Sequence, residues 1–501
     1  MKPIPTLSTR KLLLITTLVC LGLGVDRTFA QSPSADALIN KLVQKGILTE
    51  KEAKDLLAET AVTNAATAHK WKITDTIKSI ELYGDVRFRY EYRSSENANP
   101  PVEGSDPNAY YKERFRYAVR LGVRGDLADD FYYGLRLETA TNPRSPWVTF
   151  GGDNNTPDKS TPFRKDSASI NLGQYYLGWH PTDWFDITVG KMRMADCLYT
   201  TPMVWDTDIN PEGAAEKFKL PVGNYIELFA NFAQFDYQNP SVAQNWPSSD
   251  TFILAWQVGA NVKFNKDTSL KFAPVIYNYT GLGATNTQGS TAGLNLSYTG
   301  EGFGPGSAAP GQNSFATPWL NQNGINDLLV LEIPAELNFK IAGQNVRVFG
   351  DFARNLHGDD RARAAFAANN PPGVPGTLTH AYTGQDTAYQ IGVGIGNLGL
   401  VYGQTSKKHT WEARAYWQHI EQYALDVNLI DSDFFEGRAN LEGVYSALAY
   451  SLTDNILGTF RYGYAHRIND ELGTGGSNPD LPVLNPIRNY HLLQMDLTWR
   501  F

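Results

Sequence analysis

Cysteine is nearly absent: the 501-residue chain has two, Cys20 and Cys197. Cys20 lies in an N-terminal apolar run and, preceded by Leu18-Val19, makes a poor lipid-attachment site. That leaves Cys197 alone, unable to form an intrachain disulfide, and a buried structural thiol is the expectation. Long hydrophobic runs are scarce too. Beyond Ala30 no stretch approaches the roughly 20 apolar residues of a spanning helix, and mean hydropathy is −0.35. This excludes a helical membrane protein but not a membrane barrel, in whose strands only every second residue meets lipid. Excess positive charge is also lacking. The chain carries −8, and its first thirty residues hold Lys2, Arg10, Lys11 and Arg27 against Asp26, so the remainder carries −11. A general nucleic-acid binder needs the opposite sign. Nor does the chain hold a G-x-S-x-G, H-E-x-x-H or P-loop pattern, so no enzyme motif and no cofactor site is read from it.

What is present begins with a leader. Lys2, Arg10 and Lys11 precede the apolar run Leu12 to Val25, and Thr28-Phe29-Ala30 ends it. A basic flank, a short apolar core and a small-residue end predict a signal peptide over 1–30. Over 31–72 the pattern is helical. Leu38, Ile39, Leu42 and Val43 recur at helical spacing, Gly46 interrupts, and Thr49-Glu50-Lys51-Glu52 is a capping box before Ala53, Leu56 and Leu57. The expectation is a short helical periplasmic segment, too brief for a coiled coil, ahead of a β-barrel over 73–501.

From Ile80 onward the period is two. In ELYGDVRFRYEYR, Leu82, Val86, Phe88, Tyr90 and Tyr92 share one face, and Asp85, Arg87, Arg89, Glu91 and Arg93 the other. In ERFRYAVRLGVRGD, Phe115, Tyr117, Val119, Leu121 and Val123 alternate with Arg114, Arg116, Arg120 and Arg124. FYYGLRLET sets Tyr133, Leu135 and Leu137 against Arg136 and Glu138. An arginine at mid-bilayer costs about 2–4 kcal/mol, so the charged faces belong in a wet lumen. Similar segments return through the chain, about sixteen in all, an even number as bacterial barrels require. The connections alternate between short ones rich in Gly, Pro, Asn and Asp and long ones, with Asn397–Thr410 as a longer turn of the first kind. Short periplasmic turns and long outer loops would leave both termini in the periplasm. The aromatics beside the turns (Tyr132, Tyr133, Trp179, Trp184 and Phe185) fit an interfacial girdle. The last segment, YHLLQMDLTWRF, puts Leu493, Met495, Leu497, Trp499 and Phe501 on one face. It resembles the C-terminal sorting signal of outer-membrane barrels, which implies the barrel-assembly machinery as a partner of the Phe501 strand. The fold class expected is all-β, an antiparallel transmembrane barrel.

The pore-lining candidates are Asp85, Arg87, Arg89, Glu91, Arg114, Arg116, Arg120, Arg124, Arg136, Glu138, Arg414, Arg438 and Arg461. Glu412, Glu442 and Arg467 are also assigned to the inner face. A charged ring along a narrow aqueous path selects ions by sign, and arginine favours anions; paired across strands, the same residues would only stiffen the wall. Lys191 and Arg193 follow the outward phase of Ile187 and Val189 unless a bulge at Gly190 turns them inward. For the long Gly281–Asp327 segment the favoured reading is folding inward to narrow the pore, and the alternative is a surface cap or mobile loop. Asp206/Asp208 and Asp431/Asp433 are D-x-D pairs without an EF-type loop around them, so solvated loop acids and no metal are expected. His409 and His419 lack a second ligand at metal-like spacing and are read as structural.

The segments INLGQYYLGW, DITVGKMR with WDTDINPEG, and DSDFFEGRANLEGVYSALAYSLTDN, together with LVQKGILTEKEA, resemble the bacterial putative porin family. A more distant likeness is to alginate-export and phosphate-selective channels. The resemblance implies a Gram-negative outer-membrane protein embedded in lipid and lipopolysaccharide that passes small hydrophilic solutes downhill without a cofactor. By analogy it implies a homotrimer. The rival readings are a barrel hydrolase and a structural or adhesion barrel with a filled lumen.

Overall fold

The computed structural model describes residues 74–97, 109–140, 145–151, 169–238, 251–280, 328–369, 379–404, 406–474 and 486–501. The expected signal peptide, the helical segment and the long Gly281–Asp327 segment lie outside these residues.

The described chain is a closed antiparallel barrel of sixteen strands. The first eight are β1 (Glu81–Asn97), β2 (Ala109–Asp126), β3 (Phe131–Ala140), β4 (Ser169–Thr182), β5 (Phe185–Lys191), β6 (Glu212–Val222), β7 (Ile226–Gln238) and β8 (Thr251–Asn265). Two interrupted strands follow, β9 (Thr268–Phe272 with Val275–Thr280) and β10 (Leu329–Glu332 with Ala335–Ile341). The last six are β11 (Gln344–Asn355), β12 (Thr387–Gly396), β13 (Trp411–Ile420), β14 (Leu441–Ser451), β15 (Ile456–Arg467) and β16 (Ile487–Arg500). The interruptions in β9 and β10 fall at Ala273-Pro274 and Ile333-Pro334, where the missing proline N–H breaks the ladder. Ala273 N donates to Pro334 O at 3.2 Å, so the two breaks lie side by side.

Closure is made by β1 on β16, with Asp85 opposite Arg500 and Tyr92 opposite Leu493. Phe501 extends that ladder: its N donates to Gly84 O (3.2 Å) and its O accepts from Gly84 N (3.0 Å). Every strand pairs with its neighbours in chain order, so no backbone edge is left to face hydrocarbon.

Side chains sort inside out relative to a soluble protein. Leu82, Phe88, Phe115, Leu121, Leu135, Leu177, Val189, Ile391, Leu448, Leu497 and Trp499 are exposed, while Asp85, Arg89, Glu91, Arg93, Arg114 and Arg136 are buried. The two-residue period does this directly, since one strand face must be apolar to meet lipid. Tyr133, Trp179, Trp184 and Phe185 stand beside the short turns, with Trp184 stacked on Phe218 (6.3 Å) and Phe185 tilted against it (5.0 Å). Tyr132 departs from that girdle. It points inward over Gly178 and donates to Asp186 (3.0 Å), because its phase is that of Arg136 rather than Leu135.

Candidate functional site

One inner wall is ionic. Glu91 of β1, almost fully buried, accepts from Arg114 Nε (2.7 Å) and Arg93 Nη2 (3.1 Å), with Arg116 at 3.7 Å and Arg89 at 3.8 Å. Asp85 accepts from Arg87 (2.9 Å) and Arg120 (3.0 Å). Arg89 is held bidentate by Asp496 of β16 (2.7 and 2.9 Å), which also pairs with Arg461 of β15. Arg136 pairs with Glu138 (2.7 Å), and Arg124 with Glu81 (2.9 Å) at the short-turn end. Beyond the end of β3, residues Val148–Thr149 pair with Arg116 and Tyr117 of β2. This puts Phe150 outside and Trp147 inside, under the guanidinium of Arg89 at 4.0 Å.

The facing wall is mostly apolar: Phe235, Ile253, Ala255, Tyr277, Val330, Phe349, Tyr416 and Tyr445 are buried on the inner faces of β7–β11, β13 and β14. Two connections between long-loop ends fold in and pack on it. Residues 192–211, with a short helix α1 (Met194–Cys197), bury Met203 and Trp205, the latter against Phe235 (5.8 Å) and Tyr277 (6.4 Å). Residues 421–440 bury Phe434 against Tyr445 (5.4 Å) and Tyr416 (6.0 Å). Polar pins fix the first connection. Gln257 both accepts from Tyr199 N (2.8 Å) and donates to Tyr199 O (2.7 Å), and Glu332 accepts from Thr200 Oγ1 (2.8 Å). The helix α2 (Gly358–Asn369) supports the second through Arg361, which donates to Leu425 O (3.3 Å).

The two connections interlock and reach the ionic wall. Asp431 N donates to Pro202 O (3.0 Å), and Ser432 donates from N and Oγ to Asp206 Oδ2 (3.0 and 2.8 Å). Asp433 accepts from Arg89 (2.8 Å) and Gln494 (2.9 Å), and Asp208 lies 3.5 Å from Arg120. The D-x-D pairs are therefore not free loop acids at the surface: apolar neighbours on the same loops draw them inside the barrel, where Asp206 is buried and Asp208, Asp431 and Asp433 are partly exposed. Among the described residues no cluster has metal-binding geometry. Burial, and next the charge of Asp208, pushes Asp206 up to about 7. Burial also lifts Asp431 well above the carboxylate range, with Asp206 and Asp433 adding to it. Burial opposes ionisation of Asp433 too, but Arg89 and Arg93 outweigh it and hold Asp433 below its ordinary value.

A family model described as "Putative porin" matches residues 99–301 and 311–501, most of the chain. The chain belongs to this porin family. No curated protein matches. Among solved structures the porin is similar to Pseudomonas putida OprB (10% identity, 84% of this chain and 94% of that one, TM-score 0.44). It is also similar to the anion-selective porin from Comamonas acidovorans (8%, 84% and 99%, 0.42) and to Salmonella typhi OmpF (8%, 85% and 98%, 0.40). The porin is an outer-membrane β-barrel.

Of the residues singled out in the sequence, Asp85, Arg87, Arg89, Glu91, Arg114, Arg116, Arg120, Arg136, Glu138 and Arg461 gather on the ionic wall, and Arg124 sits exposed at its short-turn end. Arg414 is inside but apart, between the rings of Phe349 (4.0 Å) and Tyr402 (4.5 Å). Arg438 is not a strand residue: β14 begins at Leu441, and Arg438 is buried in the preceding connection beside Glu436 (2.9 Å). Glu442 faces outward, pairing with His419 (2.8 Å) and His466 (3.0 Å), because its phase is that of exposed Val444. Gly190 adopts φ +128° without shifting the register, so Lys191 stays outward on Glu212, while Arg193 lies beyond the strand and pairs with Asp196. Trp147, Asp496 and Arg500 are not among the pore-lining candidates read from the sequence, and Asp433, read there as a loop acid, joins the ionic wall. For the infolded loops a signal existed: Met203-Val204-Trp205 and Phe434-Phe435 are apolar runs that a surface loop has no reason to carry.

Proposed function

We propose that this porin is a non-enzymatic passive channel for small hydrophilic solutes, with a lumen narrowed by residues 192–211 and 421–440 and with a preference for anions. The observation that carries the reading is the strip of polar groups between the two walls that keeps access to water. Asp433 and Asp208 side chains are 29% and 17% exposed although they lie inside the barrel, and Tyr402 is 41% exposed. Arginine predominates on the inner faces of β1–β3, which supports anion preference. In this reading the short turns and both termini face the periplasm, the apolar belt meets lipid and lipopolysaccharide, and the Phe501 strand is read by the barrel-assembly machinery. Assembly as a homotrimer belongs to the same proposal.

Single-channel current across a planar bilayer under a KCl gradient tests it. A stable conductance with an anion-leaning reversal potential is expected, moved toward cations by Arg116→Glu or Arg120→Glu. The interlocked connections also favour a second reading, a structural barrel with a filled lumen. Silence from correctly folded protein would remove the open-pore reading and bring this one and the barrel hydrolase forward.

A further inference from the structure

The arginines of the ionic wall are largely answered by carboxylates of the same wall or of the infolded connections. At the short-turn end the balance differs. There residues 398–404 bend into the barrel, while Lys407–Thr410 stay at its rim beside the turn at Asp454. Glu412 of β13 holds them, its Oε2 accepting from Gly399 N (2.8 Å) and Val401 N (2.9 Å), while Arg461 Nη2 donates to Val401 O (3.1 Å). Gly399 and Gly403 flank the single 3-10 turn Leu400–Tyr402 at φ +113° and +78°, a left-handed backbone that favours glycine. Leu400, Val401 and Gly403 are buried by this bend, and Tyr402 is presented to the lumen.

Three guanidinium groups converge on that presented edge from three strands. A Cβ built on Gly403 would lie 3.6 Å from Arg87 Nη2 and 4.0 Å from Arg500 Nη2. Arg414 lies over the Tyr402 ring, is 8% exposed, and has an Nε with no hydrogen-bond partner. Among the described residues neither Arg414 nor Arg500 has a carboxylate at ion-pair distance. The acid opposite Arg500 across the β1–β16 ladder is Asp85, and Asp85 already serves Arg87 and Arg120. Glu412, the other acid nearby, is committed to the backbone of the turn. Excess positive charge thus collects where the lumen is also narrowed by backbone.

We propose that Arg87, Arg414 and Arg500, arrayed around Tyr402-Gly403, form a binding station for small oxyanions bearing carboxylate or phosphate, and that it sets the anion preference of the channel. The guanidinium groups of Arg414 and Arg500, left without a carboxylate, are matched by the paired oxygens of such a solute, and Arg87, held by Asp85, turns its Nη2 to the same place. Its three members come from different strands, so a bound anion would be held across the path and released along it. The inference rests on the anion-leaning channel reading and locates that preference at one end of the lumen.

The test compares the wild type with Arg414→Gln, Arg500→Gln and the double variant in planar bilayers, and Arg354→Gln on the outer face controls for the loss of one positive charge. Reversal potential under a KCl gradient and interruption of the current by added inorganic phosphate are both read. Each single variant is expected to move the reversal potential toward zero and to weaken phosphate block about tenfold, as losing one charge-assisted contact does. The double variant loses the anion lean, Arg414→Lys and Arg500→Lys restore most of it, and Arg354→Gln changes neither readout. If the double variant does not assemble, the single and lysine variants decide by the same two readouts. An anion lean and a phosphate block unchanged in the glutamine variants overturn the station while the channel reading stands. A conducting wild type with no anion lean and no phosphate block overturns the station together with the anion part of that reading.

Discussion

On β1 the inner positions read Asp85, Arg87, Arg89, Glu91 and Arg93; on β9, across the lumen, they read Val275, Tyr277 and Tyr279. Both strands keep an apolar outer face, with Phe88 on one and Ile276 on the other. The outer face answers to one solvent, lipid, and so has one solution. The inner face answers to whatever stands opposite it. Where water and ions border it, charges in mutual pairs are stable. Where residues 192–211 and 421–440 pack, Tyr277, Phe349 and Tyr416 make a small protein core inside the barrel. In the proposed channel the ionic wall lines the path, and the apolar wall holds the connections that would narrow it.

The largest effect is expected from removing the centre of the ionic wall. Glu91→Gln leaves four neighbouring arginines without the charge they share, and breaking a buried ionic cluster from one side costs about 3–5 kcal/mol. Urea unfolding followed by the heat-dependent gel mobility of the barrel reads this loss. A cost below about 1 kcal/mol would show that lumen water, not Glu91, satisfies those guanidinium groups.

On the apolar wall the corresponding test is Phe434→Ala. Emptying its site between Tyr416, Tyr445 and Phe435 costs about 3 kcal/mol, but the loss falls on the docking of 421–440 rather than on strand pairing. The barrel is expected to assemble normally while single-channel current rises and becomes noisier. Unchanged current would mean that this connection does not border the conducting path.

Between the walls, Asp206 makes the junction of the two connections depend on pH. Its value is raised to about 7 in the folded chain, so the protonated form is favoured there. Its contribution to docking is complete below the ordinary carboxylate range and is lost as pH rises through about 7. Asp433 has the opposite sign: held low by Arg89 and Arg93, it supports docking at neutral pH and fails only when pH falls below its lowered value. Current recorded from pH 5 to 9 is therefore expected to increase above neutrality. Asp206→Asn, which still accepts a hydrogen bond from Ser432, is expected to flatten that rise, and a rise that persists in the variant would assign it to another group.

The outer face is the part that sequence alone makes legible. Leu82, Phe88 and Leu121 declare a strand facing lipid, and short turns such as Pro181–Trp184 fix the order of the strands; hence the barrel and its strand number follow. The inner partners do not follow from alternation. Nothing in the spacing of Asp431 and Asp433 says that one meets Ser432's neighbourhood beside Asp206 while the other meets Arg89, because that pairing joins positions hundreds of residues apart. Arg438 and Glu442 show a second limit. One lies outside its strand because β14 begins only at Leu441, and the other faces outward on the phase of Val444; where a strand starts is a detail that short-range pattern leaves open.

The smallest effect is expected at the wet edge of the ionic wall, and it shows that charge number alone does not rank these residues. Arg124 pairs with Glu81 at 2.9 Å and lies 4.8 Å from the Tyr83 ring, yet its side chain is 46% exposed and that of Glu81 36%. Both ions remain hydrated when the pair breaks, so Arg124→Gln should cost less than about 1 kcal/mol. Raising salt should shrink even that difference, since exposed pairs are screened over about 10 Å at 0.1 M. Unfolding of Arg124→Gln beside Glu91→Gln at two salt concentrations measures both claims together. A salt-independent loss at Arg124 as large as that at Glu91 would mean that the short-turn end is as dry as the middle of the wall, and the graded hydration argued for the lumen would have to be abandoned.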